Sequence, residues 1–213
     1  MDQSLNQAFI HRSYLNETTK KISSNERLEF LGDAVLELIV SLYLFSHFPE
    51  SPEGKLTLLR SSIVRTEMLA KVAHTLGLGN KLKLGRGEEE GGGRQNPSIL
   101  ANTFEAVLGA LYLDQGFEAA QEFVNRNLLP HIEEIVAKKL YFDAKSHLQE
   151  KVQEEMKVTP IYKVLREEGP DHQKQFSVGV YANERLLGEG KGKSKQDAER
   201  QAAQSALERN HLS

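Results

Sequence analysis

The chain has 213 residues, 39% apolar and 27% charged, and a formal net charge of −3. That length and balance can build one large domain or two small ones, and they exclude global disorder and a low-complexity filament. With no cysteine in the chain, a disulfide framework and thiolate metal sites are excluded, and the composition suits a reducing compartment.

The opening Met1-Asp2-Gln3-Ser4-Leu5 lacks the basic-then-apolar order of a signal peptide. The most apolar stretch, Ala34 to Phe45, is interrupted by Glu37 and Ser41, so no span of about 18 apolar residues exists to cross a bilayer. A soluble, intracellular protein is expected. Lysine plus arginine number 15 against 18 acids in residues 1–142 and 12 against 12 in residues 143–213, which together make the 27 and 30 of the whole chain. Neither part is broadly basic, so any nucleic-acid contact must come from a local cluster. The aromatic fraction of 7%, without tryptophan, argues against a reader that stacks single-stranded bases on exposed rings.

The first part reads as helix after helix. From Asn25 to Phe45, apolar residues Leu28, Leu31, Val35, Leu38, Ile39 and Leu42 recur at helical spacing, and Thr57 to Leu76 repeats the pattern through Ile63, Met68 and Val72. Gly77 to Pro97 is expected to be a solvated loop, because its glycines and its Glu88-Glu89-Glu90 run resist packing. It has no Gly-Lys-Ser/Thr of a phosphate loop. Helix resumes from Ser98 to Tyr112, where Gly109 permits close packing, and Phe117 to Lys139 reads as two helices separated by Pro130. After Leu140 the pattern changes. A polar helix from Ser146 to Met156 leads into strands at Ile161 to Leu165 and around Phe176, Val178 and Val180, the latter alternating with period two. Asn183-Glu184 turns into a third strand ending near Gly188, and a last helix from Ser194 carries Ala198, Ala202, Ala203 and Ala206 on one stripe. The fold class expected is a mostly helical domain, residues 1–140, then a linker, 141–145, and a small α-β-β-β-α domain, 146–213.

The chemistry concentrates in Asn25-Glu26-Arg27-Leu28-Glu29-Phe30-Leu31-Gly32-Asp33. Spacings of three and four put Glu26, Glu29 and Asp33 along one side of a helix, where like charges repel by a few tenths of a kcal/mol per pair. Asn102 and Glu105 form a second pair three apart on another predicted helix. A hard divalent cation with oxygen ligands would compensate such a row. Spacing alone fits other readings equally well: Ser23 and Glu26 match a capping box, and Glu29 and Asp33 could be paired by Arg27, Arg60 or Arg65, or simply solvated.

The stretch Asn25 to Asp33 resembles the signature of the ribonuclease III family, His11-Arg12-Ser13-Tyr14 resembles that family's amino-terminal motif, and Leu100 to Asp114 resembles its second acidic helix. From Ser146-His147-Leu148-Gln149-Glu150 through Gly169-Pro170-Asp171-His172 to Gly190–Glu199, the chain is similar to a double-stranded-RNA-binding domain. The resemblance spans nearly the whole chain. It implies an endoribonuclease that hydrolyses duplex RNA to 5′-phosphate and 3′-hydroxyl ends with short 3′ overhangs, in the processing of ribosomal and messenger precursors in the cytoplasm. It implies Mg²⁺, for which Mn²⁺ substitutes, held by Glu29, Asp33, Asn102 and Glu105, with Asp33 and Glu105 as the essential catalytic acids and Glu26 at a second metal or near the RNA. The family pattern has aspartate where this chain has Asn102, whose neutral oxygen should bind Mg²⁺ less tightly. The resemblance also implies a homodimer with Phe30 at the interface, against the alternative that Phe30 is ordinary core. No nucleotide cofactor and no membrane are implied.

Duplex RNA is read by shape, through 2′-hydroxyls and phosphates across successive minor grooves. By resemblance, Ser146, Gln149, Glu150, Gln153 and His172 occupy the minor-groove positions, and Lys191, Lys193 and Lys195 the phosphate-facing end of the last helix. Without the resemblance, that lysine run is as well explained as a solvated loop. Gln196 stands where many such domains carry lysine. Two rivals remain: a duplex-RNA binder without catalysis, suggested by Asn102, and a helical oligomerisation module with a solvated acidic face. The second predicts that Glu105→Gln leaves stability unchanged or improved and that Mg²⁺ has no effect on melting.

Overall fold

A computed structural model describes residues 2–137, 144–170 and 174–209. It divides into two compact units, Met1–Tyr141 and Phe142–Ser213. The first is helical: α1 (Asp2–Ala8), α2 (Glu26–His47), α3 (Glu53–Val64), α4 (Thr66–Thr75), α5 (Arg86–Glu90), α6 (Pro97–Gln115), α7 (Phe117–Asn127) and α8 (His131–Ala137), with short 3₁₀ turns at Arg12–Glu17, Leu78–Lys81 and Gly93–Gln95.

At the centre α2 packs on α6. Leu36, Ile39, Val40 and Leu44 from α2 and Phe104 and Leu108 from α6 are 0–1% exposed, each contributing about 1.5–3 kcal/mol of apolar burial. The two backbones nearly touch because glycines face each other. A Cβ added to Gly32 would lie 1.8 Å from the Glu105 carbonyl oxygen, and one on Gly109 would lie 2.2 Å from that of Leu28. Helix α6 starts where Asn96 accepts from the backbone N–H groups of Ser98 at 2.9 Å and Ile99 at 3.4 Å, with Pro97 in its first turn. The start of α2 corrects the capping-box expectation. Its N-cap is Asn25, not Ser23. Buried Asn25 donates its side-chain N–H to the Ala8 carbonyl at 3.2 Å and its backbone N–H to that of Ile10 at 2.8 Å, tying the acidic helix to the segment before it.

Two further expectations need correction. The segment Thr57 to Leu76 is two helices, because Arg65 is extended at φ −63°, ψ 151°. The bend lets α3 lie on α2 and α8 while α4 lies on α6, directions one straight helix cannot serve. Gly77 to Pro97 is packed rather than a solvated loop. Leu82 and Leu84 are buried with Ile99, and Arg94 donates to the carbonyls of Gly79 at 3.0 Å and Leu82 at 2.8 Å. Glu89 and Glu90 of the acidic run, with Lys81, Lys83 and Arg86, remain exposed on its outer side.

The second unit is α9 (Ala144–Met156), β1 (Ile161–Glu168), β2 (Gln175–Ala182), β3 (Arg185–Gly192) and α10 (Lys195–Arg209). The strands form one antiparallel sheet in the order β1-β2-β3. Val178, Val180, Ala182 and Leu187 pack with Leu148 and Val152 of α9 and the alanine stripe of α10. β3 runs four residues past its expected end at Gly188. Gly188, Gly190 and Gly192 carry no side chain against α10, and a Cβ on Gly190 would lie 2.2 Å from the Ala202 nitrogen, so small residues from both elements let helix and strand meet backbone to backbone.

Candidate active site and nucleic-acid interface

The glycine contact between α2 and α6 decides the electrostatics of the acidic face. It holds Glu29 and Asp33 on one helix within charge range of Glu105 on the other. Burial first, then the charges of Asp33 and Glu29, push the Glu105 carboxyl up to about 7. Glu29 is raised in the same sense by burial and by Glu26, and the neighbouring Asn102 side chain partly offsets this. Asn102 and Glu105 are half-buried, Asp33 and Glu26 exposed.

Neither Arg60 nor Arg65 neutralises the row. Arg60 pairs with Glu37 at 2.9 Å, and Arg65 lies 4.0 Å from Glu67. Arg12 reaches Glu26 at 3.9 Å. Among the described residues, no ion pair forms at Glu29, Asp33 or Glu105. Also among the described residues, no three His, Asp or Glu side chains close on one point as a metal cage. Like-charged carboxylates without a counter-ion lower their energy by standing apart, and the fourth donor of the group is an amide. Three carboxylates and an amide oxygen, one carboxylate made costly by burial, fit a hard divalent cation.

Phe30 is 81% exposed, so it is not core. Leu38, Leu42 and Phe45 continue an exposed apolar stripe along α2 and border a groove completed by Leu56 and Arg60. Bare apolar surface in such a stripe marks a contact face.

In the second unit Ser146, Gln149, Glu150 and Gln153 are all exposed on α9, opposite the buried Ala144, Leu148 and Val152. His172 lies outside the described residues. Lys191 and Lys193 line a groove together with Gln175, Arg200 and Gln201. The last three were missed in sequence, since nothing in their spacing relates them to the lysines. Lys195 is placed differently: it pairs with Glu167 at 3.1 Å and lies over the Phe176 ring, which weakens it as a phosphate ligand. Ser194 accepts the Asp197 N–H at 3.1 Å and so caps α10 with its own side chain.

Residues 2–132 match the family model described as ribonuclease-III-like. The chain belongs to the ribonuclease III family. Residues 144–210 match the double-stranded RNA binding motif. The ribonuclease 3 of Anoxybacillus flavithermus is 51% identical over 94% of this chain and 84% of its own length. That of Enterococcus faecalis is 52% identical over 95% and 88%. The solved nuclease domain of ribonuclease III from Campylobacter jejuni, 43% identical, superposes with a TM-score of 0.54 over 62% of this chain and 85% of that one. This ribonuclease III-family chain thus pairs a helical nuclease fold with a three-stranded RNA-binding fold. Among its described residues, no helix is long and apolar enough to cross a membrane.

Proposed function

We propose that this chain is an endoribonuclease that hydrolyses phosphodiester bonds of double-stranded RNA, leaving 5′-phosphate and 3′-hydroxyl ends with short 3′ overhangs. Its work is the processing of ribosomal and messenger RNA precursors in the cytoplasm. The single observation that carries this reading is the uncompensated acidic cluster across the glycine contact of α2 and α6, in a chain of this family. Residues 1–140 form the catalytic domain and 146–213 the RNA-binding domain, with Ala144 and Lys145 of the expected linker forming the first residues of α9.

Glu29, Asp33, Asn102 and Glu105 would hold Mg²⁺, or Mn²⁺ in its place, and Glu26 would face a second ion or the RNA. The ion, when bound, supplies an activated water and positive charge for the negative charge that develops on the phosphate. The chain's own contribution is to place the ligands. Near neutral pH the metal-free Glu105 carboxyl keeps its proton in a large share of molecules, given its position near 7, and it must release that proton to act as a ligand. Asp33 is the more exposed of the two. The α9 face of Ser146, Gln149, Glu150 and Gln153, with His172, would meet the minor groove, and Lys191, Lys193 and Lys195 the phosphates.

The protein works as a homodimer through the stripe headed by Phe30. Phe30→Asp is expected to halve the mass seen by light scattering, and an unchanged mass would remove this role. The reaction itself is tested on a long RNA duplex incubated with and without Mg²⁺, with the product ends analysed, for this chain beside Asn102→Asp. Cleavage only with the ion is expected, with this chain needing more of it than the aspartate variant. Binding without cutting at any Mg²⁺ or Mn²⁺ level would make the protein a non-catalytic duplex-RNA binder, the reading Asn102 favours.

A further inference from the structure

The exposed polar row of α9 begins one residue after a lysine that is engaged within the domain. Lys145 stands in the first turn of α9, and its Nζ donates to Glu199 Oε2 of α10 at 2.6 Å. The same ammonium lies 4.9 Å from the ring centroid of Tyr162 on β1, so one cation joins three elements of the second unit. The pair is partly sheltered: its side chains are 39% and 25% exposed, against 57% and 38% for Lys195 and Glu167. Loss of solvent strengthens both the ion pair and the contact with the ring. The apolar packing beside it is directionally weak. Helix α10 offers Ala198, Ala202, Ala203 and Ala206 against Leu148 and Val152 of α9, and alanines interdigitate too little to fix how one helix is rotated on another.

Glu199 is also a carboxylate one turn beyond Lys195, near the end of α10 proposed to face phosphates. Alone it would repel an RNA backbone. Resting on the reading that this unit binds duplex RNA, we propose that Lys145 is a positioning residue for that binding, with Glu199 as its anchor. The pair, seated on Tyr162, holds the start of α9 at a fixed distance and angle from the start of α10. The row Ser146, Gln149, Glu150 and Gln153 and the lysines Lys191 and Lys193 then meet one duplex without rearranging. The charge of Lys145 is used inside the domain and not on a phosphate. The acid, although of the wrong sign for RNA, is therefore required for tight binding.

The test is duplex-RNA binding by the full chain without metal, so that nothing is cut, over a range of salt, with melting recorded for each variant. Lys145→Met, which keeps most of the apolar stem, is expected to bind roughly tenfold more weakly with the salt slope unchanged. Glu199→Gln is expected to weaken binding by a similar factor although it removes a negative charge; an acid that merely faced phosphates predicts the opposite sign. The double variant is expected to bind no worse than either single one, because both remove the same tie. Tighter or unaltered binding by Glu199→Gln would overturn the inference. So would a salt slope reduced by about one phosphate contact in Lys145→Met, which would make that lysine a direct RNA ligand. Glu199→Gln leaves Lys145 over Tyr162 and carries the test should Lys145→Met not fold. Absence of duplex binding by the unaltered chain would instead remove the RNA-binding reading, and this inference with it.

Discussion

Both units bring two elements into backbone contact by the same device and obtain opposite electrostatics from it. Gly32 and Gly109 let α2 and α6 touch, as Gly188, Gly190 and Gly192 let α10 settle on β3. In the first unit the contact draws carboxylates from two helices into a half-buried place, and Glu105 is pushed up to about 7. In the second unit the charges near the packed elements are paired with opposite ones: Lys145 with Glu199 at 2.6 Å, Lys195 with Glu167 at 3.1 Å, and Arg200 with Asp197. Close packing as such does not create the acidic strain. It arises because one helix pair carries like charges on the side next to the contact, where burial removes the solvent that would screen them.

The sharpest way to break this contrast is Glu105→Gln. It removes a proposed metal ligand, so cleavage of duplex RNA is expected to fall by at least about a thousandfold, since the lost transition-state stabilisation is several kcal/mol and each 1.36 kcal/mol is tenfold in rate. The metal-free protein should nevertheless melt higher at pH 8. A carboxyl raised in the folded state from its ordinary 4.5 to about 7 contributes stability that is fully present below pH 4.5 and lost as the pH rises through 7, and glutamine abolishes that loss. A lower melting temperature for Glu105→Gln at pH 8 would count against the strain.

A smaller effect separates the lysines of the second unit. Replacing Lys191 and Lys193 together by glutamine should reduce the salt dependence of duplex-RNA binding by about two phosphate contacts and the affinity by roughly tenfold at moderate salt. Lys195→Gln should do less, because its ammonium already faces Glu167. Equal losses from both would mean that the Lys195–Glu167 pair opens on RNA.

The acidic rows were legible because helical spacing fixes which side chains share a face, and the strands of the second unit because Phe176, Val178 and Val180 alternate. The helix break at Arg65 was not, since apolar residues keep helical period on both sides and only the different partners of α3 and α4 require the bend. The packing of Gly77 to Pro97 was hidden because Arg94 satisfies carbonyls twelve and fifteen residues away, which composition does not register. Gly109 could be read as a close contact, but its partner Gly32 became visible only once the helices were paired. Gly190 and Gly192 read as the end of a strand because their packing surface is another element's alanines. Lys195 looked equivalent to Lys193 until Glu167, far away in sequence, came to lie beside it.

The most direct test of the strain is an NMR titration of the Glu105 side-chain carboxyl in metal-free protein, repeated with saturating Mg²⁺. The account predicts a midpoint near 7 without the ion and a large downward displacement with it. A midpoint near the ordinary 4.5 under both conditions would contradict it.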